Sequence, residues 1–232
     1  MRIDAKPRLK APPLADGDVH VWVTRLTPTD FDSTPGPLLG LLDAEERQRA
    51  ARFHRRRDGV RWACSRALLR LLLAGYLDRD PATLRFALGK YGKPEIPPPS
   101  PPSANELSDP CPQLHFNLSH SGAFALYAIA LDQPVGVDIE ALDRDVDQLA
   151  VAARAFDGDS VRRLRELPPA ERKREFVRLW VRHEASLKCL GLGLGSTEAL
   201  AQPWVAELDV ADGMLAAVAA RREPTTLVCN SF

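Results

Sequence analysis

Two carboxylates separated by one residue are the first feature of this sequence that could do chemistry. Asp138 and Glu140 lie in the segment 135–140, which reads Val-Gly-Val-Asp-Ile-Glu. Alternate residues of a β-strand share a face, so both acids point away from the face that carries the three apolar side chains. Paired carboxylates can bind one hard cation such as Mg²⁺. The alternative is an exposed strand face that merely carries two acids, although acidic residues are depleted in strands.

A second group of ionisable residues lies on a predicted helix further along the chain. The segment 180–191 reads Trp-Val-Arg-His-Glu-Ala-Ser-Leu-Lys-Cys-Leu-Gly and ends at Gly191, a residue type that accepts the left-handed cap conformation. Glu184 and Lys188 continue an apolar stripe of the helix, and His183 lies in the neighbouring stripe. Charges are rarely placed near a buried face without a partner. The alternative is an exposed Glu–Lys pair worth about 0.2–0.5 kcal/mol.

Other basic and polar residues could bind phosphate groups. These candidates are Arg49, Arg61, Lys93, Pro94, Ser119 and His120. The two arginines belong to a strongly basic stretch that also reads as an ordinary solvated helix surface. Lys93 ends a glycine-containing turn, Gly-Lys-Tyr-Gly-Lys-Pro, at which the backbone can approach a ligand closely. The turn is not a P-loop, because no Gly-Lys-Ser/Thr follows it.

The helices and strands that must position these residues are predicted from hydrophobic periodicity and from residue types that begin or end helices and turns. We predict strands over 19–26, 84–88, 114–118, 123–131, 135–140, 204–210, 214–221 and 225–228, of which the strands within 114–140 form a meander. We predict helices from a capping box at Asp43 and Glu46 to about 57, and over 60–77, 146–156, 160–167 and 168–190. The fold class is therefore α+β, in two similar halves of helices packed on a small, mainly antiparallel sheet. We expect the halves to be 1–122, with a Pro-rich insertion at 94–112, and 123–232.

Composition limits the classes of protein to consider. A formal net charge of zero gives no reason to expect nucleic-acid binding, and 45% hydrophobic residues suit an ordinary globular core. No run is apolar enough to span a bilayer, and the first residues lack the apolar core of a signal peptide. The four cysteines have no Cys-x-x-Cys spacing, so we expect reduced thiols in a cytoplasmic, monomeric protein without a zinc site.

Taken together, the motifs resemble a known family. In order, they are Gly-Lys-Pro at 92–94, Phe-Asn-Leu-Ser-His-Ser at 116–121, Val-Gly-Val-Asp-Ile-Glu at 135–140 and Trp-Val-Arg-His-Glu-Ala-Ser-Leu-Lys at 180–188. This order and spacing resemble the surfactin-synthetase-type 4′-phosphopantetheinyl transferases. The resemblance covers about 43–194, and its last two motifs are the specific ones.

The resemblance implies a fold, a reaction and roles for named residues. It implies a duplicated α+β fold with the active site in the cleft between the halves. The implied enzyme moves the phosphopantetheine arm of coenzyme A to a serine of an acyl, peptidyl or aryl carrier protein and leaves 3′,5′-adenosine diphosphate. Such carriers serve polyketide, nonribosomal peptide and fatty acid biosynthesis. No nucleic acid or membrane is implied as a partner.

Carried over by motif, the roles fall into three groups. Asp138, Glu140 and Glu184 would hold Mg²⁺, Glu184 and Lys188 would be catalytic, and Arg49, Arg61, Lys93, Pro94, Ser119, His120 and Lys188 would bind coenzyme A. Mg²⁺ commonly takes a few carboxylates together with phosphate oxygens, which suits this division. Glu184 would accept the proton of the carrier serine.

One position departs from the family pattern. His183 stands where the family usually has lysine, and histidine is shorter and mostly neutral near pH 7. It could donate a hydrogen bond to phosphate, but we favour a role in packing or in supporting a neighbouring group. A weakened protein that binds coenzyme A or a carrier without turnover is therefore the main alternative. A Mg²⁺-dependent transferase that uses another pyrophosphate donor is a further one.

Overall fold

The computed structural model describes residues 9–26, 36–97, 112–193 and 202–231. The strands are β1 (Asp18–Arg25), β2 (Ala87–Leu88), β3 (Pro94–Glu95), β4 (Leu114–Ser121), β5 (Phe124–Leu131), β6 (Val135–Ala141), β7 (Trp204–Leu208), β8 (Met214–Ala220) and β9 (Thr226–Ser231). The helices are α1 (Gly36–Leu39), α2 (Ala44–Ala51), α3 (Arg56–Leu77), α4 (Gln148–Ala155), α5 (Gly158–Glu166) and α6 (Pro169–Leu190). None of the helices in these ranges combines the length and the hydrophobicity of a transmembrane segment.

Two sheets organise the described chain. The first has the order β4-β5-β1-β9, in which β9 runs parallel to β1 and the other pairs are antiparallel. The second has the order β6-β8-β7 and is antiparallel throughout. β2 and β3 form a separate short hairpin. The mixed α+β class predicted from the sequence is therefore observed.

Apolar side chains fill three successive layers. Leu72 and Tyr127 belong to a core between α3 and the first sheet. Val21 and Val137 belong to a core between the two sheets. Val181 belongs to a third core, in which α4, α5 and α6 cover the other face of the second sheet. The apolar residues Val135, Val137 and Ile139 of β6 face the first sheet, so the residues between them face α6.

The predicted meander is wrong at its third strand. β6 pairs with β8 in the second sheet, not with β5, and the chain changes sheet in the turn after Leu131. Side chains of β4 replace the missing strand ladder: Asn117 Oδ1 accepts from the Val137 amide at 2.9 Å, and Ser121 Oγ accepts from the Ala141 amide at 3.2 Å. The alternation of apolar and polar residues shows which side chains share a face of a strand. It does not show which other strand is the neighbour in the sheet.

The expected division after Gly122 falls inside the β4–β5 hairpin. By sheet membership, the chain leaves the first sheet only after β5 and returns to it with β9. Cys64, Cys189 and Cys229 are free thiols, and Cys111 lies outside the described residues, as does 98–111 of the Pro-rich insertion.

Helix boundaries follow local sequence signals in most places. The capping box is confirmed, since Asp43 and Glu46 each bond the backbone amide of the other. The αL cap at Gly191 is also confirmed, with φ of 66°. The helix expected to reach about 57 instead ends at Ala51, and the next begins at Arg56, four residues before its predicted start. The strand expected over 84–88 is reduced to Ala87–Leu88.

Candidate functional site

A cleft open to solvent lies where the end of β4 meets β6 and α6. Its volume is about 360 Å³, and it is lined by Leu118, Ser119, His120, Asp138, Glu140, Arg144, Trp180, Glu184 and Lys188. The lining therefore includes the end of β4 from the first sheet and residues of the two acidic sequence motifs, which lie on β6 and α6. It includes the three predicted metal ligands and both predicted catalytic residues.

Close contact between β6 and α6 brings the acidic pair to the helix. A β-carbon at Gly136 would collide with the carbonyl oxygen of Ala185 and the amide nitrogen of Cys189 on α6. Only glycine leaves room for the helix backbone to approach the strand this closely. Asp138 follows two residues later on the same face of β6 and therefore faces the helical turn that carries Lys188.

Asp138 is buried and accepts two hydrogen bonds through one oxygen. Its Oδ1 lies 2.8 Å from Ser119 Oγ and 2.7 Å from Lys188 Nζ. Lys188 Nζ also lies 3.2 Å from Ser119 Oγ, so the three side chains form a closed triangle. In this structure the ammonium neutralises the carboxylate, which a buried acid requires.

Glu140 is held by two residues that the sequence analysis did not select. Its Oε2 accepts from Ser121 Oγ at 3.0 Å, and its Oε1 accepts from Arg144 at 2.5 Å. The Arg144 guanidinium also lies 5.6 Å from the ring centre of Trp180. Burial raises the pKa of Glu140, and the Arg144 charge and the Ser121 hydrogen bond oppose that rise. No sequence signal was available for Arg144, because a spacing of four brings side chains together on a helix and Glu140 lies on a strand.

Glu184 faces the same cleft with less compensation. Burial raises the pKa of its carboxyl group, the Lys188 charge opposes this, and the charges of Asp138 and Glu140 add to the rise. A raised pKa makes a carboxylate a better proton acceptor at neutral pH. Glu184 is thus suited to take a proton from a hydroxyl group that enters the cleft.

Two carboxylate oxygens in the cleft have no hydrogen-bond donor among the described residues. They are Asp138 Oδ2 and Glu184 Oε1, and both are buried. Buried polar atoms without partners are rare and commonly mark a place for an absent ion or water. Among the described residues, no group of three or more His, Cys, Asp or Glu side chains is arranged in this structure so that it could hold a metal ion. The donor set nevertheless fits a hard divalent cation, which binds carboxylate oxygens from facing elements.

Basic residues lie around one end of the cleft. The pKa of His120 is lowered by desolvation and then by the Lys188 charge, and Arg61 is close enough to lower it further. Arg49 and Pro94 line a neighbouring cavity that shares Leu118 with the cleft. The Arg49 guanidinium lies 5.2 Å from the ring centre of Trp62 in that cavity. An anionic ligand that extends from the cleft would meet these groups.

Lys93 is not among the residues that line the cleft, and its expected contact with a phosphate stays a prediction. Its Nζ donates to the backbone carbonyl oxygens of Val135 at 3.0 Å and of Lys188 at 2.7 Å. The final carbonyl groups of a helix lack partners within the helix and carry partial negative charge. The ammonium donates to one of them here, the Lys188 carbonyl oxygen, which also accepts from the Gly191 amide at 3.3 Å. The sequence pattern of a glycine turn could not reveal this contact.

His183 packs outside the lining of the cleft. Its ring meets the Phe156 ring edge-on, with centres 5.8 Å apart, and lies 6.5 Å from the Trp180 ring centre. Burial alone lowers its pKa, so the neutral imidazole is favoured. This placement agrees with a packing role and gives His183 no direct position among the cleft carboxylates.

Comparison with known proteins identifies the family of this chain. The sequence model described as "4'-phosphopantetheinyl transferase, N-terminal" matches residues 34–131, and that of the "4'-phosphopantetheinyl transferase superfamily" matches 134–223. A putative 4′-phosphopantetheinyl transferase of Synechocystis is 35% identical over 75% of this chain and 65% of its own length. The transferase HetI of Nostoc is 32% identical over 80% of this chain and 73% of its own length.

Sfp of Bacillus subtilis, also named a 4′-phosphopantetheinyl transferase, is 30% identical over 67% of this chain. The chain spans just under two thirds of the Synechocystis and Bacillus relatives, 65% and 63% of their lengths. The two matched regions meet within the turn between β5 and β6, where the chain changes sheet. On this evidence the chain belongs to the 4′-phosphopantetheinyl transferase superfamily.

Proposed function

We propose that this protein transfers the 4′-phosphopantetheine arm of coenzyme A to a serine of an apo carrier protein, with Mg²⁺ as cofactor. The observation that carries the proposal is the pair of buried carboxylate oxygens without donors, Asp138 Oδ2 and Glu184 Oε1. Asp138, Glu140 and Glu184 would hold the ion. When bound, Mg²⁺ would neutralise charge on the diphosphate of coenzyme A and on the departing 3′,5′-adenosine diphosphate.

The reaction replaces the phosphoanhydride bond of coenzyme A with a phosphodiester bond to the carrier serine. The serine oxygen of the carrier forms a bond to the phosphorus that bears pantetheine, and the bond from that phosphorus to the oxygen of the leaving 3′,5′-adenosine diphosphate breaks. Glu184 takes the serine proton. The chain thereby supplies the base, while the electron pair of the broken bond leaves with the nucleotide.

The other residues of the cleft bind and orient the donor. Lys188, which is hydrogen-bonded to Asp138 and Ser119 in this structure, carries the ammonium closest to the acidic pair and would contact phosphate oxygens. His120 and Arg61, at one end of the cleft, would contact the remaining phosphate of the nucleotide. Arg49 would extend this basic surface.

The cellular setting and the assembly state belong to the same proposal. We place the protein in the cytoplasm as a monomer, where its carriers are those of peptide, polyketide or fatty acid assembly. The free thiols of Cys64, Cys189 and Cys229 are consistent with a reducing compartment.

Mass spectrometry of the carrier tests the function directly. Purified protein, coenzyme A and Mg²⁺ should convert several apo carriers to forms heavier by one phosphopantetheine group. Folded protein that produces no such gain with any carrier would refute the proposal. Binding of coenzyme A by calorimetry without a mass gain would instead support the alternative of a non-catalytic binding protein.

A matched pair of variants assigns the base in the same assay. Glu184→Gln should slow transfer by about 10²- to 10⁴-fold, the usual contribution of a general base. Glu207→Gln removes a carboxylate that pairs with Arg178 at 2.9 Å on the surface, and it should transfer at the wild-type rate. Equal rates for the two variants would remove Glu184 from the mechanism.

A further inference from the structure

The end of α6 is attached to the start of β6 by contacts that lie outside the cleft. We call this region the β6–α6 junction and define it as Pro134, Val135 and Gly136 together with Lys188 and Cys189. Cys189 Sγ donates to the Pro134 carbonyl oxygen at 3.2 Å. The absence of a β-carbon at Gly136 allows the two backbones to touch.

Lys93 is the one side chain from the first half of the chain whose described hydrogen bonds join both sides of this junction. It reaches the junction from the β2–β3 hairpin and places a single ammonium 3.0 Å from the Val135 carbonyl oxygen and 2.7 Å from the Lys188 carbonyl oxygen. We propose that Lys93 is a positioning residue of the transfer reaction proposed above, because it holds the backbone of Lys188 at a set distance from the strand that carries Asp138.

The geometry makes this link direct. One acceptor is the backbone carbonyl of the residue whose own side chain contacts Asp138 at 2.7 Å. The other acceptor lies three residues before Asp138 on the same strand. A change at Lys93 would therefore alter both ends of the Asp138–Lys188 contact without removing any group from the cleft.

The ammonium has chemical reasons to remain at the junction. Its two hydrogen-bond acceptors are backbone carbonyl groups, one of them at the negative end of the helix dipole. Desolvation lowers the pKa of Lys93, and the nearby Cys189 and Glu95 oppose that shift. Removing the amine would leave the Val135 carbonyl group without this donor and the Lys188 carbonyl group with only the Gly191 amide at 3.3 Å, which is costly in a partly buried place.

The hairpin that carries Lys93 also contacts the chain beyond the helix. The Tyr91 ring lies 3.0 Å from the position that a β-carbon on Gly193 would occupy. The hairpin thus touches α6 through its terminal carbonyl and touches the residues after its cap. These two contacts hold the helix end through side chains that do not line the cleft.

Steady-state kinetics of Lys93→Met separates positioning from phosphate binding. If Lys93 positions Lys188, kcat should fall by about 10- to 100-fold, because small displacements of catalytic groups have effects of this size. KM for coenzyme A should rise by a smaller factor than kcat falls, since only the displaced Lys188 weakens phosphate binding and Lys93 itself loses no ligand contact. Lys90→Met is the matched control: it removes an exposed ammonium from the same hairpin and should leave both constants unchanged.

Alkylation of Cys189 gives a second readout that does not need transferase activity. The thiol is buried, and burial raises its pKa to about 11, so it should react slowly with iodoacetamide in the wild type. Peptide mass spectrometry should show at least tenfold faster labelling of Cys189 in Lys93→Met and no change in Lys90→Met. If the methionine variant does not fold, Lys93→Gln replaces it in both measurements.

Two results would overturn the proposal. A raised KM for coenzyme A with unchanged kcat would show that Lys93 binds the nucleotide directly. An unchanged labelling rate of Cys189 would show that the junction does not depend on the ammonium. Failure of the wild type to modify any carrier would refute the proposed function instead, while the labelling comparison would still decide whether Lys93 holds the junction.

Discussion

At the scale of single residues, the cleft is defined by how each acid is compensated. Asp138 is paired with an ammonium and a hydroxyl group, and Glu140 with a guanidinium and a hydroxyl group. Glu184 and Asp138 each keep one buried oxygen without a donor among the described residues, but Glu184 has no described hydrogen bond to a cation or hydroxyl group. Different compensation separates the tasks available to similar side chains, because only the least neutralised acid is ready to take a proton.

His183 provides a prediction at this scale because its position departs from the family pattern. His183→Lys should retain or raise the transfer rate, since the imidazole lies outside the cleft lining. The edge-on contact with Phe156 would be lost, and such ring contacts are worth about 0.5–1.5 kcal/mol. Calorimetry should therefore show Tm lower by roughly 2–5 °C. Complete loss of activity in a folded variant would show that the imidazole has a specific task.

At the scale of elements, the site depends on one strand and one helix that touch through their backbones. Gly136→Ala should cost about 1–3 kcal/mol or more, because the atoms that meet the added methyl group belong to the backbone of α6. The transfer rate should fall with it, since Asp138 and Lys188 would move apart. Denaturant unfolding and carrier modification measure the two effects.

Gly158→Ala is the control for that substitution. Nothing lies within 4 Å of a β-carbon at Gly158. Alanine there should leave activity unchanged and stabilise the protein by about 0.4–1 kcal/mol through the unfolded state. If alanine at the two positions had equal effects on stability, the close approach of β6 and α6 would not be the reason for glycine at 136.

The contact between β1 and α3 predicts how stability depends on pH. The buried His20 Nδ1 lies 2.7 Å from the Tyr76 hydroxyl oxygen, which also accepts from Trp22 Nε1 at 2.9 Å. The hydroxyl proton is therefore available to the unprotonated His20 nitrogen. Desolvation lowers the pKa of His20, and the charge of Asp18 opposes this shift. In the unfolded state His20 binds a proton near its ordinary pKa of 6.5, whereas in the folded state it does so only at a lower pH.

The lowered pKa of His20 makes the folded state less stable at acidic pH. A depressed pKa contributes stability that is fully present above 6.5 and is lost as pH falls through the lower pKa of the folded state. Between pH 7.5 and 5.5 the free energy of unfolding should therefore drop more for the wild type than for His20→Gln. Parallel curves would contradict this account of His20, whatever the contributions of the other histidines.

At the scale of the whole molecule, local features were more predictable from the sequence than the arrangement of strands. The alternation in β6 follows from a period of two, and the structure buries Val135, Val137 and Ile139 completely or nearly so. The capping box and the glycine cap of α6 are equally local. The partner of β6, the Arg144 contact with Glu140 and the position of Lys93 all depend on residues distant in space or on side-chain direction, which periodicity does not encode.

The family resemblance supplied what periodicity could not. It indicated that two separate acidic motifs belong to one cleft, and the structure places Asp138, Glu140 and Glu184 in its lining. It also indicated phosphate contacts for Lys93, which stay a prediction; in this structure the ammonium donates to two backbone carbonyl groups. A motif match carries over the type of residue, whereas the direction of its side chain depends on the surrounding packing.

The central claim is that carboxylates from β6 and α6 share one divalent ion beside coenzyme A. Electron paramagnetic resonance of Mn²⁺ in place of Mg²⁺ measures this directly, in the presence of coenzyme A and without any carrier. Asp138→Asn, Glu140→Gln and Glu184→Gln should each weaken Mn²⁺ binding at least about tenfold relative to the wild type. Wild-type affinity in Glu184→Gln, with the other two variants impaired, would contradict a site shared between the strand and the helix.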